Sequence, residues 1–310
     1  MLSQIQGLHH VTAIAADAQA NNAFFTKILG LRRIKKTVNF DAPDVYHLYY
    51  GDELGDPGTV MTYFPFPLAV RGRPGTGEVG TTALSAPQGA LPFWRARFQA
   101  MGVEGLQEDV AFGEKRLFFG GPDGDSLALV ETPSDRRKPW THGGIGEEAA
   151  IRGFHSVALR VRDDGATAEL LKFMGYEQLG AEEGVKRFAL REGNGASIVD
   201  LETLPHVTHA RQGAGSVHHV AFAVDNRQKQ LEVRKGLVDG GYTVTPVIDR
   251  DYFFAIYFRT PGGVLFEVAT NEPGFARDED PAHLGEALKL PKQHAHLRAM
   301  LEKSLAPIAD

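Results

Sequence analysis

The sequence predicts an α+β fold built from four copies of one βαβββ unit. Three observations predict it. A pattern of strand, helix and three strands recurs four times along the 310 residues. Turns rich in glycine and proline separate the predicted strands. A polar stretch also divides the four copies into two pairs. Four repeats of one pattern determine an architecture more firmly than any single strand prediction does.

The first copy begins close to the N-terminus. Its helix ends at Gly30, a common stop signal, and Phe24, Ile28 and Leu29 are candidates for its buried side. The predicted elements are a strand at 8–16, a helix at 18–29 and strands at 32–40, 46–50 and 59–64.

The other three copies repeat this order. The second has a strand near 80–85, a helix near 90–101 and strands near 106–111, 115–119 and 126–131. The third has a strand at 154–162, a helix at 166–173 and strands continuing to 198–201. The fourth has a strand at 217–224, a helix at 227–238 and strands at 242–248, 252–259 and 264–269.

The breaks between copies predict the domain organisation. The charged segment from Pro133 to Gly146 is rich in helix and strand breakers, which is typical of a linker. We expect an N-terminal domain at 1–135, a linker at 136–150 and a C-terminal domain at 151–275, each domain with two units. Residues 276–310 form a tail, predicted helical at 281–290 and 293–305. We expect the tail to pack on the body of the protein or on a partner subunit in a homo-oligomer.

Composition excludes several classes of protein. The net charge of −6 gives no basic face for nucleic acid. No apolar run approaches the roughly 20 residues that a membrane span needs, and the N-terminus has no signal-peptide pattern. The absence of cysteine removes disulfides, thiolate metal sites and a thiol nucleophile. We therefore expect a cytoplasmic protein.

One carboxylate and two histidine pairs suggest a metal site. Glu267 lies in the middle of an apolar predicted strand, where a charge is costly unless something positive meets it. Two other predicted strands carry adjacent histidines, His9-His10 and His218-His219. Two histidines and one carboxylate are the ligand set of a non-haem Fe(II) oxygenase. Adjacent residues on a strand point to opposite faces, so one histidine of each pair would bind the ion, and alternation alone does not decide which.

The repeated unit resembles the vicinal-oxygen-chelate superfamily, which includes glyoxalases, bleomycin-resistance proteins and extradiol dioxygenases. Within it, several strings are similar to those of the hydroquinone-cleaving ring dioxygenases. The resemblance covers residues 5 to about 275, and the strings that carry it lie at 8–12, 46–52, 57–62, 249–253, 257–259 and 266–270.

The resemblance implies both a shape and a ligand set. Paired modules of this family curl into open barrels around a metal cleft. The family pattern selects His10, His219 and Glu267 as the ligands. The implied cofactor is Fe(II), and Mn(II) stays open because the same donors accept it.

The corresponding positions of the other copies are less suited to a metal. We place Ser156 of the third copy at the histidine position. At the Glu267 position we place Tyr63 of the first copy, Ala128 of the second and Asp200 of the third. The cleft between the second and third copies is therefore expected to be empty. Tyr63 leaves three protein ligands, unlike a four-ligand glyoxalase site, although a phenolate ligand from Tyr63 stays open.

The resemblance also implies residues that line the substrate pocket. They match His9, Thr12, His218, Arg250 and Tyr257 in this sequence, with roles in orienting a phenol oxygen or in proton transfer. We expect the remaining histidines, at positions 47, 142, 206, 209, 283, 294 and 296, to be ordinary surface or loop residues.

Together with the candidate metal site, the resemblance implies an Fe(II)-dependent, extradiol-type ring-cleaving dioxygenase that acts on a hydroquinone-like aromatic and O2. A catechol-cleaving enzyme of the same superfamily is the strongest alternative. A glyoxalase-like metal-dependent isomerase or lyase is the second. A non-catalytic protein that binds a drug or a quinone is the third.

Overall fold

The computed structural model describes residues 1–309. The first two βαβββ units end at residue 131. The first unit consists of β1 (Leu8–Ala15), α1 (Ala18–Ala23), β2 (Arg32–Val38), β3 (Tyr46–Gly51) and β4 (Val60–Pro65). The second consists of β5 (Glu78–Ala86), α2 (Leu91–Ala100), β6 (Gln107–Ala111), β7 (Glu114–Gly120) and β8 (Ser126–Glu131).

The other two units have the same order of elements. The third consists of β9 (Gly153–Val161), α3 (Gly165–Phe173), β10 (Glu177–Glu182), β11 (Val185–Ala189) and β12 (Ile198–Thr203). The fourth consists of β13 (Val217–Val224), α4 (Arg227–Asp239), β14 (Ile248–Asp249), β15 (Phe253–Arg259) and β16 (Leu265–Pro273). The predicted α+β fold with four βαβββ units is confirmed.

Two eight-stranded sheets contain all the strands of residues 1–309. One has the order β14-β15-β16-β13-β1-β4-β3-β2, and the other has β10-β11-β12-β9-β5-β8-β7-β6. The first unit thus shares a sheet with the fourth, and the second shares one with the third. The division into domains at 1–135 and 151–275 stays a prediction about independent units, while the hydrogen bonds of each sheet join the two halves of the chain.

One predicted strand is shorter than expected, and one predicted helix changes type along its length. The strand at 242–248 is reduced to Ile248–Asp249 because Pro246, which has no N–H to donate, lies within it. The first helix ends at Ala23 and continues as one π-helical turn, Phe24–Ile28.

The tail is less helical than predicted. The helix expected at 281–290 is wrong, since only Pro281–His283 forms a 3₁₀ turn and Leu288 instead pairs with Lys36 at the edge of β2. The helix expected at 293–305 is a 3₁₀ turn, Lys292–Leu297, followed by α5 (Arg298–Ser304).

The tail packs on the first unit. Leu301 is fully buried in the main hydrophobic core, and the Tyr46 hydroxyl donates a hydrogen bond of 3.0 Å to the Ala306 carbonyl. Among residues 1–309, no helix has both the length and the apolar composition of a membrane span.

Candidate metal centre

The seam between β1 and β13 positions two of the predicted ligands. The strands pair antiparallel, with His10 opposite Ala221 and Thr12 opposite His219. β16 runs parallel to β13 on its other side and places Glu267 beside Ala221. The pairing of these three strands therefore brings together His10, His219 and Glu267, which lie far apart in the sequence.

The turn before β16 sets the position of Glu267. Gly263 has a φ of +91°, which favours glycine, and its N–H donates to the Thr260 carbonyl at 2.9 Å. A Cβ on Gly262 would lie 2.5 Å from a methyl carbon of Val161, so this turn packs closely on β9. The predicted Pro-Gly-Gly turn is present.

The side chains of His10, His219 and Glu267 converge on one point. Nε2 of His219 lies 2.9 Å from Oε2 of Glu267, and Nε2 of His10 lies 3.4 Å from both of these atoms. Exposed fractions are 2% for His10, 5% for His219 and 0% for Glu267. Within residues 1–309 this is the only group of three histidine or acidic residues with ligand atoms close enough to hold an ion.

The carboxylate of Glu267 is suited to a cation. Burial alone would raise the pKa of Glu267, but the imidazoles of His10 and His219 hold it well below its usual value. Neither carboxylate oxygen accepts a hydrogen bond of ordinary geometry. A buried, ionised and unpartnered carboxylate is costly unless it is paired or bound to a metal. Two nitrogens and one oxygen at these distances fit a divalent transition metal.

Both strands carry a β-bulge beside a candidate ligand histidine. The pairing of β1 with β13 shifts by one residue at His9 and again at His218. Nδ1 of His9 lies 2.9 Å from Nδ1 of His10, and Nδ1 of His218 lies 2.7 Å from Nδ1 of His219. Each predicted ligand is thus contacted by the histidine that precedes it, which simple strand alternation does not predict.

A pocket opens beside the three converging side chains. Its volume is about 260 Å³, which suits a small molecule, and much of its wall is aromatic. It is lined by His10, Asn39, Phe40, Asp41, Ala42, His47, Tyr49, Phe64, Phe66, His218, His219, Arg250, Phe253, Tyr257 and Glu267.

Arg250 and Tyr257 lie together in this pocket. Nε of Arg250 donates to the Tyr257 hydroxyl at 3.4 Å, and the guanidinium lies 5.6 Å from the centre of the Tyr257 ring. Burial, followed by the negative charge of Glu267, raises the pKa of Tyr257 well above its usual value, so its hydroxyl is protonated. His9 and Thr12 are buried nearby without lining the pocket.

The expectation that His47 is an ordinary surface or loop residue is wrong. His47 is buried on β3 and lines the pocket. Its Nδ1 lies 2.8 Å from the Tyr49 hydroxyl, and its Nε2 lies 2.7 Å from Oγ1 of Thr62. Thr62 in turn donates a 3.0 Å hydrogen bond to Oγ1 of Thr12. The two-residue spacing of His47 and Tyr49 within one predicted strand was a signal that these side chains share a face.

Strand register corrects the position assigned to Tyr63. Glu267 lies opposite the residue two positions after His219, and Thr62 lies opposite Thr12, two positions after His10. Thr62 is therefore the counterpart of Glu267 in the first unit. The Tyr63 side chain instead donates a hydrogen bond to Asp125 at 2.9 Å. A phenolate ligand from Tyr63 is ruled out by this arrangement.

The second sheet holds a salt-bridge network at the equivalent place. The register of β12 with β9 puts Asp200 at the position of Glu267, and Ser156 at that of His219. The guanidinium of Arg187 binds Asp200 with two hydrogen bonds of 2.9 Å and also pairs with Glu114. An arginine side chain thus neutralises the acidic groups where the first sheet has the candidate metal centre.

Comparisons with known proteins agree with this architecture. The profile of the Glyoxalase/Bleomycin resistance protein/Dioxygenase superfamily matches residues 7–268. A Bacillus subtilis (strain 168) protein named "Putative ring-cleaving dioxygenase MhqE" is 43% identical over 309 residues, with 98% of this chain and 97% of that protein covered. The chlorohydroquinone/hydroquinone 1,2-dioxygenase of Sphingobium indicum is 36% identical over 299 residues, covering 94% of this chain and 92% of that enzyme.

A solved structure shows the same fold. The crystal structure of a "putative dioxygenase" from Bacillus subtilis subsp. subtilis str. 168 superposes with a TM-score of 0.95 at 40% identity, covering 99% of this chain and 98% of that one. The four repeated units, the two curled sheets and the match over most of the sequence lead to one conclusion. The chain belongs to the glyoxalase/bleomycin resistance/dioxygenase superfamily.

Proposed function

We propose that this protein is an Fe(II)-dependent, extradiol-type ring-cleaving dioxygenase whose substrate is a hydroquinone-like aromatic. The observation that carries the proposal is the buried cluster of His10, His219 and Glu267, which offers three protein ligands beside an aromatic pocket. A 2-His-1-carboxylate set with open positions is typical of non-haem Fe(II) oxygenases.

The names of the relatives support the same reaction. One relative is named a ring-cleaving dioxygenase, and another is named for chlorohydroquinone and hydroquinone. Each aligns with this chain over nearly its whole length.

His10, His219 and Glu267 would hold the metal through Nε2, Nε2 and a carboxylate oxygen. The direct reaction of triplet O2 with a closed-shell ring is slow, and bound Fe(II) would supply the Lewis acidity and one-electron chemistry that overcome this barrier. The same donors accept Mn(II). Because Nε2 of each histidine faces the cluster, the ring proton of each lies on Nδ1 and is donated to His9 or His218.

The pocket would bind the ring through its aromatic walls. Phe40, Phe64 and Phe253 present apolar surface, and aromatic side chains pack favourably on another ring. The Arg250 guanidinium, held next to Tyr257 and near Asp41, supplies positive charge for a ring oxygen. Burial excludes water from the reacting groups and strengthens these interactions.

Two side chains could handle protons at the ring. Burial is the largest effect that lowers the pKa of His218 to about 4, so its ring is neutral near pH 7. Because Nδ1 of His218 accepts from His219, its proton lies on Nε2, and His218 is a donor. Tyr257 is the other donor. Neither His9 nor Thr12 lines the pocket. His9 would position His10, and the Thr12 hydroxyl would donate a hydrogen bond to a substrate oxygen.

The test combines metal loading with oxygen uptake. Protein purified without oxygen and loaded with Fe(II) should consume O2 with hydroquinone and much more slowly with catechol. A parallel Mn(II)-loaded sample compares the two metals. Oxygen uptake with neither substrate, or full turnover of another substrate under argon, would contradict the proposal.

A matched pair of variants tests the ligand assignment. Glu267→Ala should lose iron retention and oxygen uptake. Glu202→Gln, on the corresponding strand of the third unit and paired with Arg160, should keep both. Stoichiometric iron in Glu267→Ala would refute the role of Glu267.

A further inference from the structure

We propose that Tyr49, His47 and Thr62 form a one-directional chain of hydrogen bonds that keeps the Thr12 hydroxyl available as a donor beside the metal-binding cluster. The chain deepens the dioxygenase proposal, and its activity readout rests on that proposal. The geometry of the chain does not depend on that proposal, because every donor and acceptor in the chain is a protein group.

The direction of the chain follows from counting protons. The only hydrogen on Oγ1 of Thr62 is donated to Oγ1 of Thr12, at 3.0 Å. Thr62 must therefore accept from His47, so Nε2 of His47 carries the ring proton across 2.7 Å. Nδ1 of His47 is then an acceptor, and the Tyr49 hydroxyl donates to it at 2.8 Å.

The environment of His47 keeps the ring neutral. Burial is the largest effect that lowers the pKa of His47 well below its usual value, and the positive charge of Arg250 acts in the same direction. A neutral imidazole has one donor and one acceptor nitrogen, which this chain requires. Both ring nitrogens of His47 are engaged within the chain, and its ring centre lies 4.3 Å from the ring centre of Phe64.

Thr12 is the end of the chain. It accepts a hydrogen bond from Thr62, and its own hydroxyl proton has no acceptor among residues 1–309. Thr12 is fully buried and lies two residues after His10 on β1, on the same face of the strand. A buried donor without a partner is costly, so an oxygen held at the metal-binding cluster would be stabilised by a hydrogen bond from the Thr12 hydroxyl.

The pairing of the strands explains why this donor exists. Thr62 stands where the fourth unit has Glu267, as the register of β4 with β1 shows. A carboxylate there could bind the metal as a fourth ligand. A hydroxyl of this size continues the hydrogen-bond chain and leaves that side of the cluster to reactants. His47, Tyr49 and Thr62 are thus positioning residues that act through Thr12.

The first arm of the test reads the His47 tautomer directly. Full-length protein with ¹⁵N-labelled histidine, loaded with diamagnetic Zn(II), is studied by long-range ¹H–¹⁵N correlation, and His47→Gln assigns the signal. The expected result is a proton on Nε2 of His47 in the wild type and a mixture of tautomers in Tyr49→Phe. A proton on Nδ1 in the wild type would overturn the proposed direction.

The second arm measures turnover of the Fe(II)-loaded protein. Thr62→Val should lower kcat about tenfold or more, since a donor aimed at developing charge is commonly worth at least this much. KM and iron content should stay within about twofold, and Thr62→Ser should restore most of kcat. The proposed role of Thr62 would be overturned if kcat were unchanged in Thr62→Val. It would also be overturned if Thr62→Ser had a kcat as low as that of Thr62→Val.

Thr37→Val is the matched control. Thr37 is buried on β2 directly opposite His47, and its Oγ1 has no hydrogen-bond partner. The same substitution there should leave kcat and KM unchanged, and an equal loss of kcat would overturn the assignment to Thr62. If the wild type consumes no oxygen with any phenol, the dioxygenase proposal fails, while the tautomer measurement still decides the hydrogen-bond chain.

Discussion

Thr62 on β4 and Glu267 on β16 occupy the same place in two copies of the repeated unit. Each lies opposite the residue two positions after a candidate ligand histidine, Thr12 in one case and Ala221 in the other. The two sides of the centre therefore differ by one side chain, a hydroxyl against a carboxylate. This asymmetry separates a site with three protein ligands from one with four.

Replacing Thr62 by glutamate should add a fourth protein ligand to the candidate metal centre. In Thr62→Glu we expect tighter retention of divalent metal and at least a tenfold loss of oxygen uptake, because a fourth protein ligand competes with the reactants. Metal affinity is measured by competition with a chelator, and oxygen uptake with an electrode. Thr62→Gln, similar in size and uncharged, should not tighten metal binding. Wild-type oxygen uptake in Thr62→Glu would contradict the assignment.

His218 should stabilise the metal through His219. The Nδ1 proton of His219 is donated to His218, and removal of such a partner commonly weakens metal affinity 10–100-fold. We expect a loss in this range for His218→Phe and a smaller one for His218→Gln, whose amide oxygen can accept. Chelator competition gives the affinities. The control is His206→Phe in an exposed loop, and equal affinity in His218→Phe and this control would refute the role.

Arg187 should contribute to stability and not to metal binding. Its guanidinium and its partner Asp200 are both nearly fully buried. Arg187→Met leaves Asp200 without its counter-charge, and breaking a buried pair costs roughly 3–5 kcal/mol of the free energy of unfolding. Urea denaturation measures the change, and iron content should stay stoichiometric. Arg191→Met removes an exposed pair with Glu177 and should cost little. A loss below about 1 kcal/mol in Arg187→Met would show that the network is dispensable.

Asp125 should make stability depend on pH. Burial raises the pKa of Asp125 to about 6, against the opposing effect of the Tyr63 hydrogen bond. The folded state binds this proton more tightly than the unfolded state, so its contribution is present below the unfolded pKa, near 4, and is lost as pH rises through about 6. Asp125→Asn should remove this dependence and gain up to roughly 3 kcal/mol at pH 8.

Denaturation curves at pH 4.5 and pH 8 give the free energy of unfolding of the wild type and of Asp125→Asn. The control is Asp109→Asn, which lies on an exposed strand and pairs with Arg116. If the wild type and Asp125→Asn lose the same free energy of unfolding between the two pH values, the raised pKa of Asp125 does not cause the pH dependence of stability.

The repeated unit was predictable because its signals are local. Strand alternation and the turns with glycine or proline lie within each copy, so the order of elements followed from short segments. The pairing of copies was less accessible. The first unit joins the fourth through β1 and β13, a contact between distant segments that no local pattern specifies. Pro246 and the irregular tail account for the elements that are shorter than predicted.

The candidate ligands were accessible for a different reason. A carboxylate within an apolar strand and two histidine pairs at the starts of repeats are unusual enough to be noticed individually. The assignment of Tyr63 failed because a shift of one residue in register moves a side chain to the opposite face. His47 was missed because its partners Tyr49 and Thr62 lie on a hairpin whose register had to be known first.

The seam between β1 and β13 has a consequence for synthesis of the protein. His10 leaves the ribosome early, whereas Glu267 is added only when most of the chain has been made. A nascent chain shorter than the β16 segment lacks the carboxylate and cannot assemble the centre. Formation of the candidate metal centre therefore requires nearly complete translation, and a fragment that ends before β16 would lack one of its three candidate ligands.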